Sequence, residues 1–176
     1  MKYCAFLRGV NVRGTTMKMA DVCQVFVDAG MEAVSSVLAS GNIVFTSAEQ
    51  AEASRRVLEN AMAQRFAYEA FLFVKSRQEI ESLRDSNPFV QKDELHVYAF
   101  VGNADIAQVL MQEFDAASKA EHEEAAIVNN VFYWQVPKGN TLDSAFGKIL
   151  GRKSLKDRFT SRNINTFEKV LKKMGK

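Results

Sequence analysis

Val34-Ser35-Ser36-Val37-Leu38-Ala39-Ser40-Gly41-Asn42-Ile43-Val44-Phe45-Thr46 decides the fold. Residues 34–39 and 43–46 are two short runs of β-forming residues, and Ser40-Gly41-Asn42 between them has turn chemistry, so the stretch reads as a β-hairpin. Upstream, Met19, Val22, Cys23, Phe26 and Val27 follow the i, i+3, i+4, i+7, i+8 spacing of a helix with one apolar face, and Gly30 is its stop. Residues 2–8 before it read as a strand. Downstream, Ser47-Ala48-Glu49-Gln50 has the form of a capping box and predicts a helix to about Phe66 that buries Leu58, Ala61 and Met62. A strand over 69–75 follows. The order is β-α-β-β-α-β, the split-βαβ or ferredoxin-like arrangement.

The order then starts again. Ser76-Arg77-Gln78-Glu79 is a second capping box, for a short helix that must end before Asn87-Pro88. A strand at 94–101 precedes a helix at about 104–115 with Ile106, Leu110 and Phe114 on one side. Runs at 124–128 and 131–136 flank Asn129-Asn130, residue types that tolerate the positive φ of a tight hairpin. A helix at about 142–150 carries Leu142, Ala145, Phe146 and Ile149. A last helix, from about 163 to 175, turns Ile164, Phe167, Leu171 and Met174 inward. The expected fold class is therefore α+β, with two packed ferredoxin-like subdomains. The first spans 1–75, a connecting helix and loop span 76–92, and the second spans 93–176, ending in a basic helix in place of a fourth strand.

Composition agrees with such a chain. Of 176 residues, 47% are hydrophobic and 25% charged, the balance of an ordinary globular protein. Two cysteines, Cys4 and Cys23, exclude a disulfide framework, and both sit in core patterns. No apolar run reaches the roughly 18–20 residues of a membrane span. The start, Met1-Lys2-Tyr3-Cys4-Ala5-Phe6-Leu7-Arg8, lacks the apolar stretch of a signal peptide, which points to the cytoplasm. The net charge of +2 hides an asymmetry: residues 1–137 carry −6, and residues 138–176 carry +8. The basic end is either the wet face of a terminal helix or an electrostatic handle for an acidic partner.

Arg8-Gly9-Val10-Asn11-Val12-Arg13-Gly14-Thr15-Thr16 lies between a strand and a helix, a setting in which backbone N–H groups hold anions. Gly9 and Gly14 have the glycine spacing of a P-loop. Thr15 stands where its lysine belongs, so nucleotide hydrolysis of that kind is excluded. Topology adds to the loop. In β-α-β-β-α-β, the end of strand 1 and the hairpin between strands 2 and 3 lie at one end of the sheet, and strands 1 and 3 are neighbours. Arg8 and Asn11 should therefore meet Ser40 and Asn42. Ser161-Arg162-Asn163-Ile164-Asn165-Thr166 opens the last helix, with Ser161, Asn163 or Asn165 as N-cap.

Taken together, these segments resemble the bacterial family known as domain of unknown function 1697. Its patterns R-G-I-N-V-G-G, S-G-N-V-V-F and T-R-N-W-N-T correspond to 8–14, 40–45 and 161–166 here, with Arg13 in place of a glycine and Ile164 in place of a tryptophan. Asn87-Pro88-Phe89, Tyr133-Trp134, Pro137 and Gly139 also fit the pattern. The resemblance implies a pair of ferredoxin-like subdomains and brings no activity with it.

Metal and catalytic patterns are missing from the sequence. His96 and His122 stand alone, and Glu121, Glu123 and Glu124 read as a solvated turn. No spacing suits a metal, no cofactor motif is present, and no titrating pair suggests acid–base chemistry, so no reaction is assigned. The first functional reading is a binding site for a small anionic, phosphate-bearing ligand. Arg8, Lys18 and Arg162 supply charge. Gly9, Gly14 and Gly41 let backbone approach, and Asn11, Ser40, Asn42, Asn163 and Thr166 orient the ligand. The alternatives are a nucleic-acid-binding module that uses the basic C-terminal segment, or a protein-interaction scaffold.

Overall fold

Strand β1 (Lys2–Arg8) is central to the first of two four-stranded antiparallel sheets. In the computed structural model, which describes residues 1–12, 15–67 and 69–175, contacts divide the chain into two units. Unit 1 holds Met1–Glu81 and the chain from Glu168 onward; unit 2 is Ser82–Phe167.

Unit 1 follows β1 with a two-stranded hairpin, β2 (Asn11–Val12) and β3 (Thr15–Thr16), and then α1 (Met19–Asp28), β4 (Glu32–Ser36), β5 (Asn42–Thr46), α2 (Ala51–Phe66), β6 (Phe71–Ser76) and α3 (Arg77–Asp85). Its sheet order is β4-β5-β1-β6. Tyr3, Ala5 and Leu7 alternate onto one face of β1, where they join Ile43, Phe45, Leu72, Val22, Phe26, Leu58 and Met62 in a single core. Cys4 and Phe6, on the opposite face, are fully buried as well. A strand buried on both faces must read as a continuous apolar run, and residues 3–7 do. The end of α6 (Ile164–Met174) belongs to this unit: Lys2 Nζ donates to the Met174 carbonyl at 2.8 Å, and Arg77 Nη1 donates to the Leu171 and Gly175 carbonyls. Two cations thus satisfy carbonyls that a helix C-terminus leaves open.

Unit 2 contains β7 (Leu95–Gly102), α4 (Ile106–Ala116), β8 (Glu124–Val128), β9 (Val131–Pro137), α5 (Ala145–Leu150), a single 3-10 turn (Lys153–Leu155) and β10 (Phe159–Asn163). Its sheet order, β10-β7-β9-β8, repeats the plan of unit 1. Phe100, Phe114, Phe132, Trp134 and Phe146 form its aromatic core, with edge-to-face contacts such as Phe114–Phe146 at 5.3 Å between centroids.

The α+β, doubly ferredoxin-like architecture expected from sequence is present. One detail differs: unit 2 does have a fourth strand, β10, and α6 starts only after it. Phe159-Thr160-Ser161-Arg162-Asn163 offers one large apolar residue, and two of the residues it buries, Thr160 and Arg162, are polar, so hydropathy hides the strand. The β8–β9 hairpin turns on Asn129 and Asn130 at φ +50° and +61°, as their chemistry requires. The Ser76–Glu79 capping box is complete, with Ser76 N–H donating to Glu79 Oε2 at 2.8 Å and Glu79 N–H to Ser76 Oγ at 3.3 Å. The Ser47 box is not. Helix α2 begins at Ala51, and Ser47 Oγ instead accepts the Glu49 N–H and bonds Ser54 Oγ. Leu142 precedes the Ser144 N-cap of α5 and is 80% exposed rather than inward. Glu123, expected in a solvated turn, is buried and accepts the Trp134 indole N–H at 3.0 Å and the Ala120 N–H at 2.8 Å.

Strand β10 approaches β7 at Gly102. A Cβ there would strike the Arg158 carbonyl and lie 2.8 Å from Phe159 Cβ, and the Arg158 carbonyl, as main chain, has little room to withdraw. Gly102→Ala is expected to lower stability by about 3 kcal/mol, read from the denaturant midpoint at unchanged slope.

Candidate functional site

The end of β1 in unit 1 is built from three pieces of chain. Antiparallel pairing with β5 runs from Lys2 opposite Thr46 to Phe6 opposite Asn42, which delivers the β4–β5 turn to the end of β1. There the Leu7 N–H donates to the Gly41 carbonyl at 2.8 Å. Gly41 lies at φ +75°, and a Cβ on it would sit 3.0 Å from both Leu7 Cβ and Val10 Cγ1. Glycine is required on both counts. The expected meeting of the strand 1 loop with the strand 2–3 hairpin is therefore present.

Asn42 holds the turn closed. It is fully buried, and its Nδ2 donates to the Val37 carbonyl at 2.8 Å and to Ser40 Oγ at 3.0 Å, while Val37 N–H donates to the Asn42 carbonyl at 2.8 Å. Both amide hydrogens are thus used inside the protein, so Asn42 shapes the site from beneath. Ser40 is exposed, and with its oxygen accepting from Asn42 its own O–H is left to donate outward. Arg8 is half-buried opposite Phe71 of β6, and Gly9 follows it at φ +78°.

Strand β1 does not run straight into a helix, as an anion cradle of the P-loop type would. The β2–β3 hairpin intervenes, and the Met17 N–H closes back on the Val10 carbonyl at 3.3 Å. Lys18 then serves as the extended, exposed N-cap of α1, with no ion pair among the described residues. Asn11 is placed by its backbone in β2. Arg13 and Gly14 lie outside the described residues.

The remaining predicted residues lie in unit 2. Arg162 is not the exposed cation expected of a helix start. It sits on β10 opposite Ala99, 8% exposed, with Nη1 donating to Thr160 Oγ1 at 2.7 Å and to the Ser161 carbonyl at 2.8 Å. Thr166 is buried. Asn163 proves to be the capping residue of α6, its Oδ1 accepting the Asn165 N–H at 3.0 Å. Its Nδ2 lies 3.1 Å from His96 Nδ1. His96 is therefore not alone. Burial, and secondarily the charge of Lys138, hold its imidazole below the ordinary value of 6.5. The pairing was hidden from sequence because it depends on β10.

The basic C-terminal segment divides between the units. Lys148, Arg152, Lys153 and Lys156 are exposed in unit 2, where Arg152 pairs with Glu113 at 3.0 Å and Arg158 with Asp105 at 2.5 Å. Lys169, Lys172 and Lys173 form the wet side of α6 in unit 1. Cys4 is a buried core residue, and burial raises the thiol pKa of Cys23. Among the described residues no group of His, Cys, Asp and Glu suits a metal ion, and no helix is long and apolar enough to cross a membrane.

Comparison with known proteins gives a family and a fold. The family model described as protein of unknown function (DUF1697) matches residues 1–133. A solved structure of a conserved bacterial protein from Streptococcus pneumoniae is similar with a TM-score of 0.76 at 22% identity, over 98% of each chain. No curated protein matches.

Removing the Asn42 side chain leaves the carbonyl of the buried Val37 without that donor. Asn42→Ala is expected to destabilise the protein by about 2–3 kcal/mol, measured by urea denaturation, whether or not any ligand is present.

Proposed function

This chain belongs to the DUF1697 family, and from that premise we propose that it binds a small anionic ligand, best suited by a phosphate group, at the end of the unit 1 sheet. The single observation that supports this most strongly is the Leu7 N–H bond to the Gly41 carbonyl. It fastens the strand residue that immediately precedes segment 8–14 to segment 40–45, two stretches that match the family pattern some 30 positions apart in sequence.

The edge has the right chemistry for an anion. Arg8 and Lys18 flank the β2–β3 hairpin in sequence with positive charge, and the turn that Leu7 holds carries the exposed Ser40 hydroxyl as a donor. A guanidinium presents planar paired donors that match the oxygens of a phosphate, and a lysine adds a point charge. Gly9 has no Cβ to keep a ligand from the main chain. Asn42, Gly41 and Val37 act below this surface by fixing the turn, so the donors do not need to be ordered at the moment of binding. Arg162 and Asn163 are bonded within unit 2, and Thr166 is buried there.

Thermal-shift measurement with inorganic phosphate, phosphosugars and nucleotides tests it. A ligand at 100 times its dissociation constant stabilises the native state by about 2.7 kcal/mol. Arg8→Ala should abolish that shift and Lys18→Ala should weaken it. An equal shift in Arg8→Ala, or no shift with any anion, would refute the site.

A further inference from the structure

Unit 2 contains a second group of polar side chains that the reading above does not use. His96 and Tyr98 alternate onto one face of β7, with their rings 5.8 Å apart. His96 lies opposite Val136 on β9, and Lys138, in the turn just after β9, is close enough for its charge to act on the His96 ring. The Lys138 N–H donates to the Glu94 carbonyl at 3.0 Å, which keeps the end of β9 alongside the start of β7. Asn163, at the end of β10, reaches His96 from the other flank. Tyr98 Oη and Thr141 Oγ1 lie 3.4 Å apart at the border of the group.

The hydrogen bonds fix the state of the imidazole. Asn163 Oδ1 is occupied by the Asn165 N–H, so the amide's nitrogen is the end that meets His96. An amide N–H can only donate, so Nδ1 must accept, and the ring proton sits on Nε2. Protonating Nδ1 would set two donors against each other. Lys138 and the positive end of the α6 dipole, which begins one residue after Asn163, oppose that protonation as well. His96 is thus held as a neutral ring that donates from Nε2 and is unsuited to act as a base. Among the described residues Nε2 has no protein partner, and Lys138 is exposed with no ion pair. The nearby carboxylate of Glu94, just before β7, forms no ion pair with it among the described residues.

We propose that His96 and Lys138 form a second, independent oxyanion site in unit 2, taking a phosphate-like group through the His96 Nε2–H and the Lys138 ammonium. Asn163 is its positioning residue. A neutral imidazole donor with an adjacent cation suits an oxyanion and repels a metal ion, which would need an unprotonated ring nitrogen free to bind.

Long-range 1H–15N correlation NMR reads this directly, because the chain has only two histidines, His96 and His122. In the unliganded protein His96 should show the Nε2–H tautomer. Adding inorganic phosphate at constant ionic strength should move the His96 Nε2 resonance and leave His122 in place. Lys138→Ala should weaken that response about tenfold, the effect of losing one charged contact. Asn163→Asp keeps an oxygen to cap α6 but offers His96 an acceptor, and should shift the ring toward the doubly protonated form. Arg8→Ala should leave the His96 response unchanged, which separates this site from the one in unit 1. An Nδ1–H tautomer, a His96 signal unmoved by phosphate, or an unaltered response in Lys138→Ala would overturn the proposal.

Discussion

The fit of Gly41 against Leu7 and Val10 is the contact on which the proposed binding edge of the first unit depends. Besides the 2.8 Å backbone bond, a Cβ added at Gly41 would come within 3.0 Å of Leu7 Cβ and Val10 Cγ1, at a positive φ that side chains rarely adopt. Every neighbouring feature follows from this. Leu38 accepts a left-handed conformation at φ +61° so that the turn can come round, and Asn42 gives its whole amide donor capacity to hold it there. A non-glycine residue at positive φ is strained, and surrounding structure must over-determine it. The donors of Asn42 and the packing of Gly41 do that, and Arg8 and Ser40 are held on a rigid edge as a result.

The same division of labour recurs in unit 2. Its signature segment, 161–166, is also spent on structure: Arg162 is bonded within β10, Thr166 is buried, and Asn163 caps α6. Residues that a motif brings to notice are therefore not always the ones that face a ligand. Asn42 and Asn163 are close parallels. Each is an asparagine whose amide is engaged within the protein, and each thereby sets a neighbour: the Ser40 hydroxyl in one unit, the His96 ring in the other. Fixing donors in advance lowers the ordering cost when an anion arrives.

Local chemistry was legible in the sequence wherever one residue type has one physical use. Asn129-Asn130 needed positive φ and has it; Ser76 and Glu79 needed each other and are bonded; residues 2–8 read as a strand and form β1. The misses share a cause. Strand β10 buries Thr160 and Arg162, whose satisfaction comes from partners that no periodicity encodes, so the segment read as the start of a helix. Glu123 looked solvated for the same reason, because its partner, the Trp134 indole, is 11 positions away. The two-residue strands β2 and β3 are too short for alternation to register. Of the candidate site, the approach of the end of strand 1 to the hairpin turn, seen at Leu7 and Gly41, was readable from topology, whereas the burial of Arg162 and the pairing of His96 were not.

A preformed edge makes a demand on dynamics that can be measured without knowing the ligand. Native-state hydrogen exchange of the Leu7 and Val37 amides, which donate to the Gly41 and Asn42 carbonyls, tests it most directly. The account predicts that both amides exchange as slowly as the amides of central strand β1, opening only with global unfolding. Exchange at the rate of an exposed surface loop would mean that the turn is not locked to β1, and the rigid anion-binding edge would have to be abandoned.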